Sequence, residues 1–352
     1  MKIAITADVH MKTKNESPER FNAFENILDQ CCEQGINNLV IAGDLFDQEM
    51  QNIGEFEALC NKSNFTEIKY HIIPGNHDPN IRQEAFSSQN IHIYSEPTWV
   101  DFDYGWSFLF IPYIRDKAMG ELIQDNIKLK TNDKWCLVGH GDWSAGLTSL
   151  NPYEPGVFMP ITNRDLTIYK PDLVFLGHIH IPIDTEYLYY PGSPCGLDIT
   201  ETDYRRFLVA NLETNKLESL RVQTDVIYFI DDLIILPTED ESQFVKNTIQ
   251  RSIMSWGLDD SDHEKVSIRI RCRGYSSNKA KLLTTIKDSY KQFKFNSEPD
   301  VTEVLIANDL ERDFLMGKVR ERIEVLDWDG NDNVPSNNEI LLEALHLIYG
   351  GR

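Results

Sequence analysis

Long apolar runs, paired cysteines and surplus positive charge are all missing from this 352-residue chain. No apolar run approaches the ~20 residues of a membrane-spanning helix. The longest candidate, VIYFIDDLIIL, is interrupted by Asp231 and Asp232. The first apolar stretch meets Asp8 too early for a secretory signal peptide. The six cysteines show neither the density of a disulfide scaffold nor a C-x-x-C spacing, which indicates reduced thiols. We therefore expect a cytoplasmic protein without a membrane segment.

Basic residues are scarce, with 34 Lys and Arg against 56 Asp and Glu and a net charge of −22. Non-specific binding to nucleic acid is largely electrostatic, so this balance excludes indiscriminate adhesion to polyanions. A nucleic-acid function would need a local basic surface or metal ions. The chain also lacks the pattern G-x-x-x-x-G-K-[ST], which excludes a phosphate loop of its own.

Short β-branched runs alternate with amphipathic stretches from KIAIT to IKYHIIPGNHD. This alternation is typical of βαβ units around a sheet that is buried on both faces. The middle of the chain is richer in strand-like segments, so we predict an α/β fold with two sheets packed together. The pattern changes near residue 225, where a compact β/α segment begins and two amphipathic helices follow. We predict domains over 1–224 and 225–296, and a helical tail over 297–352.

Polar side chains follow the apolar runs at one end of the predicted strands. Taken singly, each of them is more often an ordinary loop or core residue. Five such stretches in one chain favour a shared site, because polar groups at the carboxyl ends of strands form the usual α/β active site. The residues are Asp8, His10, Asp44, Asn76, His77, His140, His178 and His180.

The chemistry of these side chains narrows the kind of site. Imidazoles combined with hard oxygen ligands suit manganese, iron or zinc, and the lack of cysteine argues against a structural zinc site. These side chains are too many for one ion, but they can serve two ions that share a carboxylate.

The ordered motifs D-x-H, G-D, G-N-H-D, G-H and G-H-x-H resemble those of the calcineurin-like metallophosphoesterase superfamily, over about residues 1–222. The resemblance implies an α/β/β/α sandwich, here followed by a small α/β cap domain and the helical tail. It also implies two divalent ions, which activate a water and clamp the attacking and leaving oxygens at phosphorus.

Carried over by motif, the resemblance implies a role for each of these residues. His77 would stabilise the transition state and protonate the leaving oxygen, and Asp78 would orient it. Asp47 is left out of the ligand set, and Asp142 is either a supporting carboxylate or a loop acid. One ion would be held by Asp8, His10, Asp44 and His180, and the other by Asp44, Asn76, His140 and His178.

The segment LGHIHIPIDTEYLYYPGSPCGLDITETDYRRFLVANL resembles the SbcD-type DNA-repair nucleases of bacteria, archaea and phages, in its Y-P-G-S-P, a following acidic residue and a basic-Phe pair. This resemblance implies a nuclease that cuts duplex ends from the 3′ side, with endonuclease activity as a further expectation. It implies Mn²⁺, with Mg²⁺, Fe²⁺ and Zn²⁺ as alternatives. It also implies a homodimer, for which we predict contacts within residues 50–90, and an SbcC-like coiled-coil ATPase as partner. A phage-encoded chain would act in the host-cell cytoplasm.

A local basic region stands out in the acidic chain, since residues 265–294 hold nine Lys or Arg and one acid, Asp288. Arginines alternate with apolar residues in KVSIRIRCRG, a spacing that places them on one face of a strand. They would contact DNA phosphates, or they are the solvated face of a sheet paired with acids elsewhere. The predicted DNA-binding residues are Arg269, Arg271, Arg273, Lys279 and Lys281.

The last two predicted helices have apolar faces that a helix alone cannot bury. They dock on their own chain, or they bind the coiled-coil base of the ATPase. Three functions are therefore open: a two-metal DNA nuclease, a phosphodiesterase or phosphatase for a small molecule or phosphoprotein, and a non-catalytic scaffold. The basic region and the tail favour the first, and the complete ligand set argues against the third.

Overall fold

A computed structural model of the protein describes residues 1–48, 52–144, 156–238, 240–307, 309–325 and 335–349. Residues 50 and 51 of the predicted dimer region and most of the acidic linker before the last helix lie outside the described residues. The chain forms two compact units, residues 1–197 with 204–225, and residues 198–203 with 226–352. The functional division at residues 224 and 296 stays a prediction. No described helix has the length and apolar character needed to cross a membrane.

The first unit is built from twelve strands and four α-helices in its described residues. They are β1 (Lys2–Thr6), α1 (Pro18–Glu33), β2 (Asn38–Ala42), α2 (Ile53–Cys60), β3 (Lys69–Ile73), β4 (Ile91–Ile93), β5 (Thr98–Phe102), β6 (Trp106–Phe110), α3 (Met119–Asn126), β7 (Lys134–His140), α4 (Asn163–Tyr169), β8 (Leu173–Gly177), β9 (Ile183–Asp184), β10 (Leu188–Tyr190), β11 (Arg206–Asn211) and β12 (Lys216–Arg221).

These strands form two six-stranded sheets, in the orders β12-β11-β1-β2-β3-β4 and β5-β6-β7-β8-β10-β9. The strands β1, β2, β3 and β4 are parallel to one another, and so are β6, β7, β8 and β10. Antiparallel pairs close the outer positions. Parallel strands place their carboxyl ends at one edge of a sheet, so the loops after β1, β2 and β3 are neighbours.

The two sheets pack face to face through alternate residues of their central strands. Ile5 of β1, Val138 of β7 and Phe175 of β8 belong to the shared core. The intervening residues, such as Leu137 and Leu176, face the opposite way and pack with residues of α3 and α4. Because both faces are covered, these strands are nearly continuous apolar runs. The predicted α/β fold with two packed sheets is confirmed.

The second unit contains a small sheet in which β13, β14 and β15 are neighbours and β16 pairs with β14. Its pairs are parallel. The alternation in β14 buries the apolar residues, exposes Arg271 and Arg273 and leaves Arg269 half-buried, in line with the predicted period of two. The elements are β13 (Ile227–Ile235), α5 (Glu241–Ser255), β14 (Val266–Ser276), α6 (Lys279–Ser289), β15 (Lys294–Phe295), β16 (Asp300–Ile306), α7 (Leu310–Glu324) and α8 (Asn337–Tyr349).

The last two helices, α7 and α8, dock on their own chain in the described structure. Met316 of α7 and Leu345 of α8 are buried with Leu236 and Tyr275 of the small sheet region. Docking does not cover every apolar side chain, because Phe314 is 69% exposed and Leu347 is 77% exposed. The helices therefore contribute to the core of the second unit and still present apolar surface.

His71 is a buried histidine on β3, away from the polar strand ends. Its Nδ1 lies 2.8 Å from the hydroxyl of Tyr94 and its Nε2 lies 3.0 Å from Oδ1 of Asn38. Burial lowers the pKa of His71 from 6.5 to about 3. The imidazole is consequently neutral in the folded protein near pH 7.

We expect His71 to make the protein less stable as the pH falls from 6.5 towards 3. In that range the unfolded chain binds a proton that the folded chain does not, so stability declines by up to ~1.4 kcal/mol per pH unit. Urea unfolding at pH 7 and pH 5 measures the effect. His71→Gln should reduce the difference between the two pH values. An unchanged difference in His71→Gln would contradict the prediction.

Candidate metal centre

The polar residues at the strand ends converge on one buried site. They lie in the loops that follow β1, β2 and β3 of the first sheet and β8 of the second, and at the last residue of β7; these strands share one core. Asp8, His10, Asp44, His140 and His178 are each at most 2% exposed. Buried charges and imidazoles at this density need partners or metal ions.

One group of ligand atoms contains Asp8, His10 and His180, whose candidate atoms all lie within 4.8 Å of one another. The Nε2 atoms of His10 and His180 are 3.2 Å apart. Two nitrogens at ~2.0–2.1 Å from a common ion would be separated by about this distance. Oδ2 of Asp44 lies 3.6 Å from Nε2 of His10, so the carboxylate borders this group.

A second group of candidate ligand atoms also borders Asp44. Nε2 of His140 is 3.3 Å from Oδ2 of Asp44 and 2.8 Å from Oδ1 of Asn76. Nδ1 of His178 is 3.0 Å from the same oxygen of Asn76. The same oxygen of Asp44 thus faces both groups, which is the arrangement that a bridging carboxylate requires.

Asp8 supplies an observation that fits a bound cation. Its Oδ1 accepts a hydrogen bond of 2.8 Å from the backbone N–H of His178. Its Oδ2 is buried without a hydrogen-bond partner among the described residues. Burial raises the pKa of Asp8 to about 6, and a divalent ion beside the oxygen would stabilise the ionised form. The residues present therefore fit the metal that the donor set suggests.

His140 is held with one nitrogen directed at the site. Its Nδ1 donates to the carbonyl of Ala42 at 2.9 Å, which leaves Nε2 for an ion. Burial alone would lower the pKa of His140, but the nearby Asp44 and Asp8 carboxylates raise it to about 10. A metal ion that binds Nε2 must displace this proton, so metal affinity should rise with pH.

The backbone of the site is strained at several of the candidate ligands. Asp8, His10, Asp44 and His178 have φ values of 53°, 48°, 50° and 94°. Such left-handed conformations are uncommon for residues other than glycine and cluster at functional sites. Gly43 has a φ of 90°, and its backbone lies close to the ring of His140, because a Cβ at this position would lie 2.1 Å from Nδ1 of His140.

A family model described as calcineurin-like phosphoesterase matches residues 1–182, more than half of the chain. The chain belongs to the calcineurin-like phosphoesterase family. No curated protein matches the chain. A solved structure described as a novel archaeal phosphodiesterase is similar at 12% identity, with a TM-score of 0.35, over 63% of this chain and all of the other. Similarity at that level carries no information about substrate. The predicted superfamily is confirmed, and the SbcD-type assignment stays a prediction.

His77 lies at the edge of the phosphoesterase site. Its backbone N–H donates to Oδ1 of Asp44 at 2.9 Å, and its Nδ1 lies 3.2 Å from the carbonyl oxygen of Asp47. Its ring contacts that of His10 at 4.7 Å between centroids. The side chain is only partly buried, so it borders both the ligands and the solvent.

Asp78 is fully buried, and its carboxylate accepts two backbone hydrogen bonds. Gly75 donates to Oδ1 at 2.7 Å and Phe46 donates to Oδ2 at 3.0 Å. These contacts tie the loop after β3 to the loop after β2. The predicted orientation of His77 by Asp78 stays a prediction, since these contacts give the carboxylate a structural role.

Asp47 is a supporting residue that the sequence did not assign. Its Oδ1 lies 3.8 Å from Nδ1 of His10 and 3.1 Å from a guanidinium nitrogen of Arg20, which also donates to the carbonyl of His10. Lys12 lies 3.2 Å from its Oδ2. A carboxylate that faces the outer nitrogen of a ligating histidine orients the ring. The only sequence signal was the repeated acid in GDLFD.

Asp142 occupies a comparable position next to His178. Its Oδ2 accepts a 2.6 Å hydrogen bond from the backbone N–H of Phe158, and its Oδ1 lies 3.6 Å from Nε2 of His178. Asp142 is 1% exposed. Of the two roles open to Asp142, this geometry favours the supporting carboxylate over the loop acid.

Arg205 holds the loop that carries His180. It is 2% exposed, and its Nε donates to the carbonyl of Ser193 at 2.9 Å. Its terminal nitrogen donates to the hydroxyl of Ser193 at 2.8 Å and to the carbonyl of His180. The sequence marked this segment only by its resemblance to SbcD-type proteins, which did not single out Arg205 as a residue that supports His180.

We expect Arg205→Leu to lower both stability and metal occupancy. The change removes the hydrogen bonds that the guanidinium donates to the carbonyls of Ser193 and His180, which are worth ~1.5–3 kcal/mol each for a charged donor, and it loosens the loop of His180. Thermal unfolding with and without Mn²⁺ measures both effects. Arg164→Leu is the matched control, because Arg164 of α4 is an exposed arginine outside the loop of His180, and exposed charges contribute little. Equal behaviour of the two variants would contradict the prediction.

The predicted DNA-binding arginines lie on β14 in the second unit, away from their own core. Arg271 forms a two-pronged ion pair with Asp232 at 2.6 and 2.8 Å, and Arg273 lies 3.8 Å from Glu303. These acids reduce the positive potential of the stripe, which favours its reading as a solvated, paired sheet face. Lys279 donates to the carbonyl of Val301. DNA binding by this set stays a prediction.

Proposed function

We propose that the protein is a metal-dependent DNA nuclease that hydrolyses phosphodiester bonds at duplex ends. The coarser activity, metal-dependent phosphoester hydrolysis, is that of its family. The observation that carries the proposal is the position of Oδ2 of Asp44, 3.3 Å from His140 and 3.6 Å from His10. It gives the site the shared carboxylate that a two-ion phosphoesterase needs.

The residues of the site have two kinds of role in hydrolysis at phosphorus, namely holding metal ions and donating a proton. Two bound divalent ions would supply the activated water and the charge that stabilises the transition state. They would be held by Asp8, His10, Asp44 and His180 on one side, and by Asp44, Asn76, His140 and His178 on the other. His77 donates a proton to the leaving oxygen, and the carbonyl of Asp47 retains the Nδ1 proton, so the transferred proton comes from Nε2.

Support for a DNA substrate comes from the segment with SbcD-like sequence. Its Arg205 contacts the carbonyl of His180, so this segment is part of the catalytic structure and not an appendage. In sequence, a separate α/β unit follows most of the phosphoesterase unit, and the SbcD-type resemblance implies that this unit is a cap that positions DNA. The implied ion is Mn²⁺, and the implied assembly is a homodimer.

The test is degradation of end-labelled linear duplex DNA by the purified protein with Mn²⁺. Bis-p-nitrophenyl phosphate serves as a small diester, and His180→Ala as the inactive comparator. We expect the DNA to be shortened from its 3′ ends and the variant to be inactive. Assays with Mg²⁺, Fe²⁺ and Zn²⁺ identify the metal.

Other outcomes distinguish the alternatives. Cleavage of the small diester alone would favour a phosphodiesterase for a small molecule or phosphoprotein, which the same site supports. Cleavage of neither substrate by protein shown to contain two ions would favour a scaffold that recruits a partner.

We propose that the exposed apolar residues of α7 and α8 bind an SbcC-like coiled-coil ATPase. Deleting the helices would expose the core that Met316 and Leu345 complete, so point changes are the better test. Phe314→Glu and Leu347→Glu should weaken co-purification with the ATPase by at least 10-fold, which corresponds to ~1.4 kcal/mol. Arg322→Glu, at an exposed position in the last turn of α7, controls for added negative charge on the helix. Retained co-purification in the double variant would exclude this surface.

A further inference from the structure

A cleft of about 680 Å³ opens beside the second group of ligands in the phosphoesterase unit. Asn76, one of the candidate ligands, forms part of its wall, and Tyr113, Arg115 and Phe158 form another part. A second cavity of about 530 Å³ shares these last three residues. A substrate bound at the site would therefore extend over this surface.

The wall of the cleft carries two aromatic rings next to the candidate ligands. The rings of Tyr113 and Phe158 are 6.3 Å apart between centroids. Phe158 lies 4.7 Å from the ring of His178, and Tyr113 lies 6.4 Å from the ring of His140. Both aromatic side chains are only partly buried, so part of each ring is accessible.

The charge of the cleft is suited to a phosphate. It is lined by two guanidiniums, of Arg82 and Arg115, and by one carboxylate, of Glu96. Arg115 is exposed and has no hydrogen-bond or ion-pair partner within the described part of the chain. In contrast, Arg271 and Arg273 of the second unit face acids. Arg115 is therefore a cation in the wall of the cleft that a substrate phosphate can contact.

We propose that this cleft binds an unpaired nucleotide of a DNA strand, with its base on Tyr113 and Phe158 and a neighbouring phosphate on Arg115. Aromatic side chains stack on bases of any sequence, and arginines contact phosphates. A duplex end would then be cut after its terminal nucleotides separate. The inference rests on the proposed nuclease function for its biological meaning, but binding can be measured without turnover.

The experiment is fluorescence anisotropy of a labelled thymidine tetranucleotide and of the same strand with abasic sites, measured in EDTA so that neither is cut. The wild type should bind the thymidine strand about 10-fold more tightly than the abasic strand, because stacking accounts for the difference. Tyr113→Leu and Phe158→Leu should each remove most of this preference.

Arg115→Gln should act differently from the aromatic variants. It should weaken both strands alike and reduce the slope of log Kd against log salt by about 0.7, the value for one phosphate contact on a single strand. Arg164→Gln, an exposed arginine of α4, is the matched control and should change neither quantity.

The outcomes separate the cleft from the nuclease proposal. A wild type without preference for the thymidine strand, or a preference that survives both aromatic substitutions, would overturn the cleft assignment. Failure of duplex degradation with the preference intact would overturn the nuclease proposal and leave the cleft as a nucleotide-binding site. Circular dichroism of each variant checks that the fold is retained.

Discussion

Substitution of Asp44 by asparagine is expected to reduce phosphodiester hydrolysis by at least about 10³-fold, equivalent to ~4 kcal/mol of transition-state stabilisation. The amide oxygen of asparagine can still accept the hydrogen bond from the backbone N–H of His77, which Oδ1 of Asp44 accepts at 2.9 Å. The amide nitrogen would replace Oδ2, the atom that faces His10 and His140. The variant therefore loses a charge and a shared ligand while it keeps its shape.

Two measurements check this expectation. The rate with bis-p-nitrophenyl phosphate gives the loss of activity, and calorimetric titration with Mn²⁺ should show fewer than two ions bound. Asp133→Asn, at an exposed position before β7, should behave as the wild type in both. An Asp44→Asn protein that keeps a tenth of the activity would contradict the bridging role.

Substitution of Gly75 by alanine is expected to lower activity by more than about 100-fold, or ~2.7 kcal/mol. A Cβ at this position would lie 2.1 Å from Oδ1 and 2.4 Å from the backbone nitrogen of Asp44. Neither contact is sterically acceptable, and the backbone nitrogen is not at the end of a movable side chain. Either Asp44 or the loop that carries Asn76 and His77 must shift, and displacements of about 1 Å at a site can cost 100-fold.

Gly54→Ala is the matched control for Gly75→Ala. A Cβ at Gly54 would meet no atom within 4 Å, and the residue lies in α2, where alanine is favoured over glycine by up to ~1 kcal/mol. We expect Gly54→Ala to keep full activity and an equal or higher melting temperature. Wild-type activity and metal stoichiometry in Gly75→Ala would show that the site tolerates the shift.

The sequence alone determined the class of fold and the main members of the candidate site. Apolar runs such as KIAIT and LVFLG predict buried strands, because a strand that is covered on both faces consists almost entirely of apolar residues. The carboxyl ends of parallel strands lie at one edge of the sheet. Polar residues that directly follow such runs are therefore close together in the fold. Asp8, Asp44 and His178 could therefore be grouped before any coordinates were known.

Only the tertiary structure decided which groups support that site and which charges are neutralised. Arg205 donates to the carbonyl of His180, 25 positions away in sequence. Asp47 faces His10, and Asp232 pairs with Arg271. The cleft with Tyr113 and Phe158 likewise joins segments that no motif connects. Hydrogen bonds, ion pairs and ring contacts act over a few ångströms, and side-chain packing sets those distances. Strand periodicity shows which face a residue occupies, but it does not show which distant residue lies against it.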